Sequence, residues 1–457
     1  MADKKSIRIA YISENSTNEC WQFMSELAAE DIEATVFFYD KDKQASVTNE
    51  TIGNKLREQP ENKANVIYIA TDTLDEALRD ADFVILSLSV GTLDEIINDI
   101  YLPERYGIVQ ATAESAGPGG VIRALRTIPA CVEVAEAVKK NCPDAWVINT
   151  GNPMNISLMA LREGYPEIKA FGSTNETFAA AELVAEFVSK DSNLPRVHRK
   201  DIKTNLLGIN GFCWFDEVTY QGQDVMPIYR KFNENFAANG FEYHTGEFKS
   251  NPKVSGNRVK FDMFLRYGVI AAADDRHIAE HCPPWYISTQ KTAGNWKFGT
   301  LNANYLKRLR VENQAHSKKL MNGDSTLKIA PGKSDLINQM KALMGLKNVI
   351  TNVDMVNDGQ VANLPIGCIV QTNALFSNNS IKPVLSGKLP DEVLALTLRH
   401  TSNQTTIMRA AKEKDLDIAF NAFLNDPLMT LNLDEATTLY TEMLTGIRSH
   451  LVYYLNN

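Results

Sequence analysis

The stretch "IRIAYISENSTN", residues 7–18, decides how the chain is read. Its first seven residues are almost all apolar, which suits a strand covered on both faces in a parallel sheet. A polar turn follows, Ser13-Glu14-Asn15-Ser16-Thr17-Asn18. A strand that leads through such a turn into a helix opens a doubly wound α/β fold, and that turn is where these folds bind a dinucleotide. The usual turn carries G-x-G-x-x-G, whose glycines let the backbone approach a pyrophosphate at the helix N-terminus. This one has no glycine.

Working outward, "ATVFFYD" (34–40), "NVIYIA" (65–70), "DFVILSLSV" (82–90), "AWVIN" (145–149) and "IKAFGS" (168–173) read as further strands. Amphipathic stretches such as "VIRALRTIPACVEVAEAVKK" (121–140) lie between them. The expected fold class is α/β, a Rossmann-like doubly wound sheet, with the dinucleotide-binding domain at residues 1–201. After one more strand, "IKTNLLGIN" (202–210), the pattern turns mainly helical. Residues 202–457 are therefore expected to form an α+β lobe for substrate binding and oligomerisation. A chain of 457 residues suits two lobes, because single cores stop growing near about 250–300 residues.

Composition narrows the function. The chain is 44% hydrophobic, 23% charged and carries a net charge of −9. An acidic surface argues against nucleic acid, which needs clustered Lys and Arg. No apolar run approaches the roughly 20 residues of a spanning helix, and the first residues lack a signal-peptide apolar region. The six cysteines show no CxxC spacing, so they are expected to be reduced, in a cytoplasmic protein.

Polar clusters fall at expected strand ends. Ser13, Asn15 and Ser16 in the first turn, Asp40 at the end of the second strand and Glu114 are the candidate cofactor contacts, with Asp40 accepting ribose hydroxyls. Asp40 is equally placed as a turn residue. "ESAGPGGVIRALRTIP" (114–129) and "INTGNPMN" (148–155) read as turn chemistry or as site. "AFGSTNETF" (170–178) offers hydroxyls and an amide that cap a helix or line a pocket. The segment 258–283 concentrates Arg258, Tyr267, Asp274, Asp275, Arg276, His277 and Glu280, more titratable groups than a solvated helix requires.

These stretches resemble a known family. "DADFVILSLSVGTLDE", "LPERYGIVQ", "GPGGVIRALRTIP", "CPDAWVINTGNPMN", "YPEIKAFG", "LGING" followed by "WF", and "RYG" followed by "DRHIAE" are similar to glycoside hydrolase family four, the NAD- and manganese-dependent glycosidases. The similarity is strongest to the α-galacturonidase and α-galactosidase branch. It continues to "VANLPIGCIV" and "LPDEVLAL", nearly the whole chain. The resemblance implies a reaction outside the two-carboxylate scheme. NAD takes hydride from sugar C3, a tyrosine removes the acidified C2 proton, a metal on O2 and O3 holds the enediolate, and the glycosidic oxygen leaves.

The resemblance makes Tyr267 the base and Asn152 a sugar contact, with Arg126, Arg258, Asp275, Arg276 and His277 as further substrate contacts. It also exposes departures. The family's metal-ligating Cys is here Thr174, its proton donor is Asn175, its ligating His is Gly211, and Gly151 replaces a Thr. Thr174 and Gly211 are expected not to ligate, since a neutral hydroxyl is a poor Mn²⁺ ligand and glycine offers none. His277 and Glu280, at i, i+3, could approach a metal from another wall, and Cys213 is expected to be a buried thiol. The implied function is an NAD-dependent α-galacturonide or α-galactoside hydrolase with weakened NAD binding and an altered or absent manganese site, a homodimer or tetramer. The alternatives are a partial-cycle sugar oxidoreductase or lyase, or a non-catalytic sugar-binding relative.

Overall fold

The computed structural model describes residues 6–14, 18–192, 194, 196–241, 251–330, 332 and 334–455. Six strands, β1 (Ile7–Glu14), β2 (Glu33–Asp40), β3 (Asn65–Ala70), β4 (Phe83–Leu88), β5 (Trp146–Asn149) and β6 (Lys169–Gly172), coincide with the six runs expected from sequence. They pair in parallel in the order β3-β2-β1-β4-β5-β6, the dinucleotide-fold order. Successive strand side chains point to opposite faces, and here both faces are dry. Ala10, Ile12, Val84 and Leu86 join one core, while Ile9, Tyr11, Phe83 and Ile85 join the other. This is why β1 and β4 read as unbroken apolar runs.

The second half adds two things. β7 (Ile202–Ile209) and β8 (Phe212–Tyr220), with the short β9 (Gln223–Asp224) and β10 (Ile270–Ala271), form a separate antiparallel sheet. β11 (Val349–Val356), β12 (Ile369–Ser377) and β13 (Ser380–Pro383) then extend the first sheet antiparallel beyond β6, Asp354 opposite Gly172. The nine-stranded sheet thus draws strands from both sides of the 201/202 boundary. Sequence reading missed β8 and β11–β13. On β11 and β12 the buried positions include Asn352, Asp354, Gln371 and Thr372, so the apolar pattern that marks a strand is broken from within.

The six cysteines are free and buried. Among the described residues no helix is long and apolar enough to cross a membrane.

Candidate active site

The parallel strands all end at one edge, so the segments that follow them converge there. Asn152 lies just beyond β5, Thr174–Glu176 just beyond β6, and Glu114 in the segment leading into the helix Gly117–Asn141. The second sheet contributes Gly211, in the two-residue turn between β7 and β8, and the helix Asp275–His281 contributes His277. Asp274 caps that helix, its carboxylate accepting the N–H groups of Arg276 and His277 at 3.0 Å each. An N-cap satisfies backbone donors the helix itself leaves unpaired, and it brings the Asp274 carboxylate beside the His277 ring.

His277 is surrounded by acids. Its Nδ1 lies 3.2 Å from Glu176 Oε1 and 3.4 Å from Asp274 Oδ1, and its Nε2 lies 3.7 Å from Glu114 Oε2. Burial disfavours charge on the ring, yet Asp274, Glu114 and Glu176 together hold it well above the ordinary histidine value. Burial likewise opposes ionisation of Glu114, but His277, Arg123 and Asn152 bring it down to about 2. Asp274, partly buried, is held well below the usual carboxylate range by Arg276, His277 and Lys260. Asn152 donates from Nδ2 to Glu114 Oε2 at 2.8 Å. The Gly151 that precedes it is dictated by packing, because a Cβ there would meet the Leu88 carbonyl at 2.7 Å.

Glu176 ties this cluster to the positions where the family resemblance puts metal ligands. Its Oε2 accepts the Gly211 N–H at 2.9 Å, and its own N–H donates to Thr174 Oγ1 at 3.1 Å. Gly211 has φ +83°, and a Cβ on it would lie 2.6 Å from the His281 ring. His281 therefore fills the space a ligand side chain from position 211 would enter. Buried beside His400, His281 is held well below the ordinary histidine value. Its Nδ1 donates to the His277 carbonyl at 2.7 Å and stacks its ring on Phe212. The Thr174 hydroxyl is occupied by the backbone, and Gly211 has nothing to offer. Among the described residues no three His, Cys, Asp or Glu side chains are grouped to hold a metal ion. Thr174 and Gly211, where the resemblance puts metal ligands, offer no thiolate, imidazole or carboxylate to a divalent ion. A separate cleft of about 130 Å³ is lined by Glu19, Gln22, Thr150, Ser173, Thr174 and Asn175, and by none of Glu114, Asn152, Glu176, Asp274 and His277.

At the cofactor end, Ser13 and Asp40 are opposite each other in the β1–β2 register, and Ser13 Oγ donates to Asp40 Oδ2 at 2.8 Å. Asp42 N–H donates to the other oxygen at 2.9 Å. Burial raises the Asp40 carboxyl to about 6 despite these donors. Glu14 spans the gap between the ends of β1 and β4, accepting the Gly91 N–H at 3.4 Å and pairing with Lys41 at 3.1 Å. Asn15 and Ser16 lie outside the described residues.

Several expected contacts have other work. Arg126 is fully buried, donating to Val90 carbonyl at 2.7 Å and pairing two-pronged with Asp99. No face of it is left for a substrate. Asp275 is also fully buried, accepting the N–H groups of Val259 and Lys260 and thereby capping the helix Arg258–Tyr267. Arg258 donates to the Ala237 and Asn295 carbonyls and packs over Trp296. Arg276 braces Asp274 at 2.7 Å. Glu280 does not join His277 at a metal site, since it accepts the N–H groups of Ala111, Thr112 and Ala113 and is fully buried. Cys213 is buried. Tyr267 sits edge-on to Trp214 with ring centroids 6.4 Å apart. Burial first, then Cys282, Asp262 and Glu392, push its phenol above the ordinary value. Glu114, expected at the cofactor, meets Asn152 and His277 instead. Glu176 and Asp274 were named in sequence only as members of polar stretches. The role of Glu176 depends on contacts with Gly211 and His277, far along the chain, whereas Asp274 acts locally, capping the helix that carries His277.

The sequence profile of the family 4 glycosyl hydrolases matches residues 8–190, and that of the family 4 glycosyl hydrolase C-terminal domain matches residues 206–429. An α-galacturonidase of Thermoanaerobacterium saccharolyticum is 44% identical over 97% of this chain and 96% of its own. The crystal structure of lplD from Bacillus subtilis is 39% identical, with TM-score 0.92 over 96% of this chain and all of that one. A 6-phospho-α-glucosidase from gut microorganisms, solved with NAD and Mn²⁺, shares the fold at 17% identity, with TM-score 0.78 over 97% of this chain and 99% of that one. The motifs, strand order and end-to-end match agree, and this chain belongs to the family 4 glycosyl hydrolases.

Proposed function

We propose that this protein is an NAD-dependent α-glycosidase of the α-galacturonide class that works without a divalent metal. The observation that carries this reading is the 44% identity to an α-galacturonidase along almost the entire chain, joined to a site in which Asn152, Glu114, His277 and Glu176 converge. The crevice outside β1 and β4 suits a dinucleotide, with the Asp40 carboxylate and Ser13 hydroxyl available to a ribose. When bound, NAD⁺ takes a hydride from sugar C3 and later returns it. Glu14 and the missing glycines set the pyrophosphate back, which supports weak binding.

The chain's own groups divide the remaining work. Glu114 fixes one Asn152 N–H, leaving the amide carbonyl and the second N–H for sugar hydroxyls. Tyr267 takes the C2 proton, and because its phenol is pushed up, this step quickens with pH. Asn175, where the family donates a proton, has none to give at neutral pH. The leaving oxygen is therefore protonated by water, and leaving groups stable as anions are favoured. Water then adds at C1.

Asn175 also favours a second reading, oxidation at C3 and exchange at C2 without cleavage of ordinary glycosides. One experiment separates the two. The protein is incubated with aryl and methyl α-galacturonides, with and without NAD⁺. The proposed function expects galacturonate from the aryl glycoside only when NAD⁺ is present. C2 exchange with no release from either glycoside selects the second reading. Neither release nor exchange, with no heat of NAD⁺ binding, overturns both.

A further inference from the structure

We propose that Arg123 recognises the C6 carboxylate of the sugar and so sets the preference for a galacturonide over a galactoside. This rests on the α-galacturonidase reading above and assigns the one charged group of that substrate to a side chain.

Arg123 lies in the second turn of the helix Gly117–Asn141, which begins at the edge where the parallel strands end. Helical side chains lean toward the helix N-terminus, so the guanidinium is carried back to that edge, beside Glu114. Three arginines stand about this end of the site. Arg126 has all three nitrogens on protein acceptors, and Arg276 donates to Asp274 at 2.7 Å. Arg123 is different. Its Nε is 3.5 Å from Asp99 and its Nη1 is 3.9 Å from Glu114, both longer than a hydrogen bond. Among the described residues no acceptor takes a hydrogen bond from its nitrogens. The side chain is 9% exposed; Nε is sealed from solvent, whereas Nη1 and Nη2 are not. A buried guanidinium with unmet donors is unfavourable until a ligand supplies acceptors.

Charge and position agree with this. Asp99 is already held two-pronged by Arg126, so Asp99, Arg126 and Arg123 together carry one positive charge in excess. Glu114 answers that charge only from 3.9 Å, and its other oxygen is bonded to Asn152. A planar carboxylate presents two oxygens at the spacing of the guanidinium fork, whereas a C6 hydroxymethyl group offers one neutral acceptor. Because Glu114 lies between Arg123 and Asn152, the sugar contact implied by the family resemblance, a sugar held by Asn152 has the free Nη groups one carboxylate's width away.

The test measures binding by calorimetry, with NADH in place of NAD⁺ so that no hydride leaves the sugar. The ligands are methyl α-galacturonide, its methyl ester and methyl α-galactoside. Wild type should bind the free acid at least about tenfold more tightly than the other two, and Arg123→Gln should reduce that preference by about 10- to 100-fold, the worth of hydrogen bonds to a charged group. A role confined to holding the structure together would weaken all three ligands alike. Arg123→Lys keeps a cation beside Asp99 and Glu114, which protects the fold, but lacks the fork, and its preference should fall between the two. Undiminished preference in either variant overturns the proposal while the glycosidase reading stands. Equal binding of the three ligands by wild type, or binding of none, also overturns it, and release of galacturonate from the aryl glycoside then decides the glycosidase reading separately.

Discussion

Two ion clusters lie close together in this molecule, and they are built differently. Asp99 and Arg126 form a two-pronged pair, 1% and 0% exposed, with Arg126 Nε on the Val90 carbonyl and Arg123 as a second cation 3.5 Å from Asp99. His277 sits among Glu114, Glu176 and Asp274 at 3.2–3.7 Å, partly open to solvent. Each arrangement buries charge. In the first each guanidinium nitrogen of Arg126 has a protein partner, and the pair holds the structure together. In the second the charges are kept but not consumed, which is the condition for acting on a ligand. Sequence alone assigned Arg126 and His277 to the same role.

The sharpest break in that comparison is Asp99→Ala. Removing one partner leaves a buried, unpaired guanidinium, and unfolding stability in urea should fall by about 3–5 kcal/mol. A loss below about 1 kcal/mol would show that Arg126 finds other partners and that the pair is not the fixed element described here.

Gly211→Ala comes next. Position 211 has φ +83°, and the new Cβ would press on the His281 ring. About 1–3 kcal/mol of strain is expected from the backbone. The family's own residue should do worse, so Thr174→Cys, Asn175→His and Gly211→His combined should destabilise the fold rather than create Mn²⁺ affinity. Tight Mn²⁺ binding by that triple variant in calorimetry would mean that His281 moves aside.

A smaller effect separates the clusters by pH. The His277 pKa is raised on folding, so its contribution to stability is complete below the unfolded value near about 6.5 and is lost as pH rises through the higher folded value. Glu114, lowered to about 2, contributes above about 4.5 and loses that contribution as pH falls toward 2. The stability gap between wild type and His277→Gln should therefore narrow on going to alkaline pH. Parallel profiles would erase the distinction.

Asp40 is a third buried acid, with a hydroxyl and an amide but no close cation. Its carboxyl titrates at about 6, and once protonated it is a poorer acceptor for ribose hydroxyls. NAD⁺ affinity should weaken by up to about tenfold per unit as pH drops below 6. Affinity constant from pH 5 to 8 would remove Asp40 from the cofactor site.

How much of this was legible in the sequence depended on the range of the interaction. β1 to β6 were readable because each is apolar on both faces, a property of six or eight neighbouring residues. β8 carried a signal that went unused: Asn210-Gly211 between two apolar runs is a hairpin mark. β11 and β12 carried little, because polar groups occupy their buried positions. At the site, Asn152 and His277 were found through motif resemblance. The division of labour between Arg126 and His277 was not, since it rests on Asp99 in one case and on Glu114, Glu176 and Asp274 in the other, brought together only by the fold. That Thr174 and Gly211 stand where the family carries other residue types was legible. That His281 had taken up the room was not.

The central claim, a family 4 site that works without a divalent metal, meets its most direct test in one assay. Release of galacturonate from an aryl α-galacturonide is followed with NAD⁺ present, in protein stripped of metal, first in EDTA and then with Mn²⁺ in excess. The account predicts the same rate in both. A rate that is absent in EDTA and restored by Mn²⁺ would contradict it.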